Sequence, residues 1–485
     1  MAEARPGSRA RLTIAALWAA FVSGCVPAPR TPLAIARHSA PPFATVRTAL
    51  TKAGLHAGAW PATRWWLAFH DPELTQLITE GLRANGDIQV ALAHARAARD
   101  RYRVAVGQTG LAVDATGDVE RERASATGLI PPPFAGTTFN YANLGLDAHY
   151  DLAYWDRQHA ALKAAIGERR ASRAEAAEVR LIVSTAIAAR YWDLASAASH
   201  AHATEARLQV GRRIESLVQA RFKAGIANAI DYENAQARLA QARLSASAAR
   251  IRLQQARFAL AALLGRGPQF ASTIALPRTE PLPALSFPHH IRLDLIARRP
   301  DIQARYWQVQ ASIAGRAAAR ARYYPDISLG AAWGFQSITL TSLIRPANIA
   351  AAIGPAINLP LFGSGERRAN LSASRAGYDA AVARYNATIV HAANHVAYAL
   401  EGLASARHQW RDAQIRSNAA DHAFALIHAR QAAGIVGALP VRLARLDVLA
   451  ARDAQSETRI GVLKAWVAVI RNLGGGYHAP ASGAR

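Results

Sequence analysis

Residues 221–242 read RFKAGIANAIDYENAQARLAQA, and residues 430–451 read RQAAGIVGALPVRLARLDVLAA. In each stretch a run of good helix formers stops at a glycine and a second run begins a few residues later. Gly225 and Gly434 can take the left-handed conformation that ends a helix. Asp231 is placed to help start the helix that follows Gly225. Outward from Gly225, no proline occurs between Pro133 and Pro268, and the intervening residues are dense in Ala, Arg, Leu, Gln and Glu. The pattern predicts a helix of roughly 60 residues from about Asp156 to Gly225 and one of roughly 35 returning to about Gly265, the first on the order of 90 Å long. Globular helices average about 11–12 residues, so no compact core requires such a hairpin.

Gly225 and Gly434 lie 209 residues apart, and nearly the same offset relates LDAHYDLAYWDRQHAALKAA (146–165) to GPAINLPLFGSGERRANLSA (354–373). In each, an alternating apolar run gives way to a helix. The chain therefore reads as two copies of one unit, a strand pair followed by a very long helical hairpin. The first copy spans 61–290: helices over 72–106, strands over about 111–153, the hairpin 156–265, and a Pro-rich link. The second spans 291–485: a helix over 300–323, strands over about 325–362, the hairpin 365–473, and a short tail. Asp71 and Pro72 mark a helix start. Trp65 and Trp66 read as packing anchors. Leu439, Leu443, Leu446 and Leu449, then Ile460, Leu463, Val467 and Ile470, have coiled-coil spacing.

In FNYANLGLDAHYDLAYW (139–155) the apolar positions are Phe139, Tyr141, Leu144 and Leu146, then Tyr150, Leu152 and Tyr154. The second copy supplies YYPDISLGAAWGFQS (323–337) and NIAAAIGPAINLPLF (348–362). One such pair is too small to be stable alone. Strands of about 10 residues with alternation and terminal aromatics suit a transmembrane barrel, and a soluble sheet capping a helical bundle is the alternative.

The chain carries 57 Lys+Arg against 33 Asp+Glu, a net +24, with 51% hydrophobic residues. The arginines are scattered along helices and form no nucleic-acid motif, which argues against a nucleic-acid partner. Solvated helix faces account for them, and arginines lining a conduit would favour anionic cargo. HExxH, GxSxG and P-loop patterns are absent and His289-His290 stand alone, so the chain does not read as an enzyme, and no metal or other cofactor is expected. Arg5, Arg9 and Arg11 precede the apolar run Leu12–Val22, which is too short to span a membrane and ends in Val22-Ser23-Gly24-Cys25. This resembles a lipoprotein signal over 1–24, with N-acyl and S-diacylglycerol lipid expected on Cys25, the single cysteine. Residues 25–60 read as a tether. Val26, in place of the aspartate that retains lipoproteins at the inner membrane, favours the outer one.

DPELTQLITEGLRANGDIQVALA (71–93), LIARRPDIQARYWQVQASIAGRAAARARYYPDISL (295–329), LPLFGSGERRANL (359–371) and NLGGGY (472–477) together resemble the outer membrane factors of Gram-negative tripartite efflux systems. Among these the chain is most similar to the lipidated members that serve multidrug and fusaric-acid-type exporters. The resemblance implies a mainly α fold with a β-barrel part. Three chains would each give four strands to one transmembrane barrel continuous with a helical tube. It also implies a passive exit duct for drugs or toxic small molecules, in outer membrane lipid and extending into the periplasm. Gly225, Asp231 and Gly434 would form the tip that meets a periplasmic adaptor, which joins an inner-membrane transporter. Trp155, Pro325, Pro360 and Phe362 would mark the barrel–tube junction. Two departures stand out. Tyr154-Trp155-Asp156-Arg157 stands where relatives often read FGR, and the second tip carries no charge from Ile435 to Pro440. A lipid-anchored periplasmic scaffold without a pore is the rival expectation.

Overall fold

The computed structural model describes residues 56–57, 60–152, 156–277, 286–287, 298–359 and 363–479. Cys25, Trp155, Pro360 and Phe362, with the signal segment and residues 25–55, 58 and 59 of the tether, lie outside them. In chain order the main elements are β1 (His56–Ala57), α1 (Pro72–Ala84), α2 (Gly86–Gly107), β2 (Ala112–Arg123), β3 (Thr138–Asp151), α3 (Arg157–Lys223) and α4 (Ala229–Leu263). There follow β4 (Ser286–Phe287), α5 (Pro300–Ala321), β5 (Asp326–Ser337), β6 (Ile349–Asn358), α6 (Ser364–Ala432) and α7 (Ala438–Asn472). The structure is mainly helical with a four-stranded antiparallel sheet of order β2-β3-β5-β6, and β1 and β4 form a short parallel bridge. The first helix of each hairpin runs 67 and 69 residues and the second 35 in both.

The described chain divides into two compact units. One comprises Arg96–Ala171 and Arg305–Tyr385 and holds the whole sheet. Its helices approach closely because their facing residues are small. A Cβ added at Gly167 would sit 2.9 Å from the backbone of Ala311, so only glycine fits there. Arginines cover aromatic faces beside this contact, Arg169 over Tyr102 at 4.1 Å and Arg170 over Trp307 at 4.3 Å, the stacked geometry that suits guanidinium.

The other unit takes in the described residues up to Ala95, those from Ser172 to Ala304 and those from Asn386 onward. Its core joins Trp65, Trp66 and Phe69 to α1, to Val183–Ala195 of α3, to the end of α4, and to Ile460–Leu473 of α7. Each fully buried Leu or Ile here stabilises the fold by about 1.5–3 kcal/mol. Asp71 caps α1 by accepting from the Leu74 N–H at 3.0 Å and also accepts from the Tyr191 hydroxyl at 2.7 Å, tying α1 to α3. Ile460, Leu463, Val467 and Ile470 are buried in that core. Leu439, Leu443 and Leu446 pack instead on Ile214, Val218 and Ala235. Between these ends α3 and α7 are joined by polar contacts, Ser199 to Ser456 at 2.7 Å and His200 to Asp453 at 2.9 Å.

The helix after Gly225 does not begin on Asp231. Its cap is Asn228, whose side chain accepts from the Asp231 N–H at 2.8 Å, and Asp231 sits in the first turn. Asparagine, like aspartate, is a favoured cap, and the extended backbone at Asn228 (φ −87°, ψ 170°) selects it.

Candidate functional site: hairpin tips and a two-faced sheet

The two tips share one backbone. Gly225 has φ 73° and Gly434 φ 75°. The Ile226 N–H donates to the Arg221 carbonyl at 2.8 Å, and the Ile435 N–H donates to the Arg430 carbonyl at 2.9 Å. This double-bonded ending satisfies carbonyls that the helix leaves open and needs a left-handed residue. It also pushes the following residue outward, so Ile226 and Ile435 are both strongly exposed, and Ile230 joins them at the first tip. Below that tip Phe222 and Tyr232 stack at 5.4 Å with planes 4° apart.

The sheet has two chemically distinct faces. Its register sets Ala115, Leu146, Trp333 and Ala351 in one row, and Gly117, Leu144, Phe335 and Ile349 in the next. Side chains in these rows share a face. That face also carries Val113, Tyr150, Leu329, Ile353 and Ile357, all exposed. The opposite face carries Asp114, Asp118, Glu120, Glu122 and Asp147. This face is acidic although the whole chain carries a net +24. Phe139 and Tyr141 also belong to the acidic face, because the register runs unbroken from Thr138 to Asp151 and they are out of phase with Leu144 and Leu146. The single alternation expected for this strand is therefore two, one per face. Gly145 and Gly334 face each other, and a Cβ on Gly334 would come within 2.5 Å of the Gly145 Cα. β2 and β6 each pair on one side only among the described residues.

Where the sheet gives way to α3, Arg157 pairs with Asp326 at 2.7 Å, and Gln158 donates to Asp151 at 2.7 Å. Pro325, half-buried, immediately precedes β5. Asp156 takes φ 57° just before α3, and Gly363 takes φ 81° just before α6. Asp156 thus takes the left-handed backbone that glycine takes at Gly363, and aspartate tolerates it better than most residues.

Two further constellations escaped the sequence reading. Asp-Ile-Gln recurs at 87–89 and 301–303, and the residue two before each aspartate caps a distant helix end. Asn85 donates to the Leu263 carbonyl at 2.9 Å, and Arg299 donates to the Asn472 carbonyl at 2.7 Å. Arg299 also grips Asp301 with two bonds, at 3.1 and 2.6 Å. Beside them Glu178 is pushed up to about 7, by burial first and then by the charge of Asp301, against the pull of Arg299 and Arg471. The repeated Asp-Ile-Gln was the available signal. A cap reaching across from a distant part of the chain leaves no local pattern.

Among the described residues no helix is long and apolar enough to cross a membrane, and no cluster of three or more His, Cys, Asp or Glu could hold a metal ion.

The model of the outer membrane efflux protein family matches residues 77–266 and 293–475. A putative multidrug resistance outer membrane protein MdtQ of Shigella flexneri is 31% identical over 468 residues, 94% of this chain and 96% of that protein. The multidrug resistance outer membrane protein MdtP of Escherichia coli O6:H1 is 28% identical over 88% of each chain. Among solved structures, the outer-membrane channel OprN superposes with a TM-score of 0.81 at 26% identity, covering 94% of this chain and 99% of OprN. The outer membrane protein VceC of Vibrio cholerae superposes at 0.76 and 28% identity, covering 86% and 100%. The two matched segments meet the two halves built around Gly225 and Gly434, and the chain belongs to the outer membrane efflux protein family.

Proposed function

We propose that this chain is the outer membrane channel of an efflux pump, a passive duct through which drugs or other toxic small molecules leave chemically unchanged. The observation that carries this reading is the sheet, with an exposed apolar face, an acidic face and two open edges. In hydrocarbon every backbone N–H and C=O needs a partner, so open edges must be closed by other strands. Identical chains supply them. Two chains would make eight strands, an interior filled by its own side chains, whereas three make twelve and leave a lumen. A homotrimer with the acidic face inward and the apolar face in lipid follows. The helical hairpins extend the duct into the periplasm. Their tips, around Gly225, Asp231 and Gly434, dock a periplasmic adaptor through exposed Ile226, Ile230 and Ile435, and the adaptor joins the duct to an inner-membrane transporter. Acyl chains on Cys25 add an anchor.

The native mass of full-length protein extracted from outer membranes in mild detergent tests this, with Cys25→Ala beside wild type. Trimers in both support a barrel that holds itself in the membrane. A monomer that the substitution releases into the soluble periplasmic fraction would overturn it in favour of a pore-free scaffold.

A further inference from the structure

The loop-side end of β2 reads Glu120-Arg121-Glu122-Arg123, and strand alternation sorts these charges completely. Glu120 and Glu122 fall on the acidic face. Arg121 and Arg123 fall on the apolar face, in phase with Val113 and Val119. No carboxylate shares that face in any of the four strands. Arg121 lies opposite Asn140 and Arg123 opposite Thr138, so uncharged hydrogen-bonding side chains flank both guanidiniums. Both arginines are exposed, and neither makes an ion pair or side-chain hydrogen bond among the described residues. An arginine pair facing hydrocarbon without a counter-ion would be costly, so its depth decides what it meets.

Along a strand rising about 3.4 Å per residue, Arg121 and Arg123 stand roughly 27 and 34 Å beyond Val113. At a tilt of about 40° that is roughly 21 and 26 Å of depth, the outer limit of an apolar band about 25 Å tall. The helices join the other end of the sheet, since α2 leads into β2 at Ala112 and β3 leads out after Asp151. The arginines therefore belong to the end away from the periplasm.

We infer that Arg121 and Arg123, with Asn140 and Thr138, form a binding site for the phosphate of an anionic lipid in the outer leaflet. Guanidinium presents paired donors that match phosphate oxygens, and the adjoining apolar rows of Val119 and Leu144 receive acyl chains. The site rests on the barrel reading above. Three copies around the rim would fix the duct's height in the bilayer.

The test is native mass spectrometry of the full-length protein in mild detergent, titrated with diphosphoryl lipid A, with phosphatidylcholine and with inorganic phosphate. Wild type is expected to bind lipid A in preference to phosphatidylcholine. Arg121→Gln/Arg123→Gln should bind lipid A about tenfold more weakly or worse. Arg121→Lys/Arg123→Lys should retain most binding, and Glu120→Gln/Glu122→Gln should match wild type. Equal lipid A binding by the Gln pair overturns the site, as does equal loss in the glutamate pair or equal binding of phosphatidylcholine. Displacement of lipid A by millimolar inorganic phosphate overturns it too, in favour of a free-anion site. A wild type that runs as a detergent-independent monomer refutes the barrel instead, and the two failures are told apart in the same spectra.

Discussion

Glu178 offers the sharpest test of the packing that joins α3, α7 and the start of α5. Its carboxyl moves from an ordinary 4.5 to about 7, chiefly because burial disfavours the charge and secondarily because Asp301 is near. The folded state then holds this proton more tightly than the unfolded chain does. Stability from Glu178 is full below pH 4.5, falls as pH rises from there to about 7, and stays low above that. At about 1.4 kcal/mol per pH unit the whole loss is about 3 kcal/mol. Glu178→Gln keeps the shape and removes the titration. Equilibrium unfolding of the detergent-solubilised protein between pH 4.5 and 8.5 should therefore show wild type and variant nearly equal at the acid end. At pH 8 the variant should be more stable by about 3 kcal/mol. Lys464, His395 and Tyr398 line the same cleft with Arg299, Asp301 and Arg471, and His395→Gln serves as the reference background. A wild-type-to-variant difference that stays flat with pH, or a variant less stable at pH 8, would refute the account. In that case Arg299 and Arg471 would be stabilising a charged Glu178 outright.

The remaining predictions concern glycines and the acidic face. Gly334→Val forces a side chain against the Gly145 backbone, whereas a Cβ at Gly330 meets nothing within 4 Å; trimer assembly on native gels should be lost in the first and kept in the second. Gly474→Ala combines φ 92° with a Cβ 2.1 Å from the Arg298 carbonyl oxygen, so it should cost more than about 3 kcal/mol. Gly225→Ala, with φ 73° and open space around it, should cost only about 1–2 kcal/mol in the same unfolding assay. Replacing Asp114, Asp118 and Asp147 by Asn should lower the cation preference of single channels in planar bilayers; an unchanged reversal potential under a salt gradient would mean that this face does not line the lumen.

Much of the fold was legible because its signals are local. Proline-free runs, a glycine and a restart define a long hairpin without any tertiary knowledge, and the strand pairs announce themselves by alternation. What stayed hidden depends on partners far along the chain. Asn228 rather than Asp231 caps α4 because the helix starts three residues earlier than charge alone suggested. Phe139 and Tyr141 seemed continuous with Leu144 and Leu146, since a list of apolar residues hides a change of phase that only the cross-strand register reveals. Glu178 sits among many glutamates in an Ala-rich helix, and nothing nearby in sequence foretells Arg299, Asp301 and Arg471 beside it. The acidic face was masked by a net +24 that says where charge exists but not which way it points.

The two tips share their turn but not their support, and this makes them unequal. At the first, Asn228 caps the returning helix and Tyr232 stacks on Phe222. The equivalent positions at the second are Gly437, which makes no side-chain cap, Val441 and Gln431. Glycine at a cap costs a few tenths of a kcal/mol against asparagine, and a lost aromatic pair at a half-exposed site costs about 0.5 kcal/mol or more. The start of α7 should therefore open about 1 kcal/mol more easily than the start of α4, about fivefold in population. Hydrogen exchange on the purified protein, corrected for intrinsic rates, should show Val441–Leu443 exchanging about fivefold faster than Tyr232–Asn234. Gly437→Asn should narrow the gap, and Tyr232→Val should narrow it from the other side. Equal protection in wild type would mean that the packing of Leu439, Leu443 and Leu446 on Ile214, Val218 and Ala235 outweighs both local terms. The second hairpin would then be no easier to move than the first, and any opening of the duct at its tips would have to engage both hairpins alike.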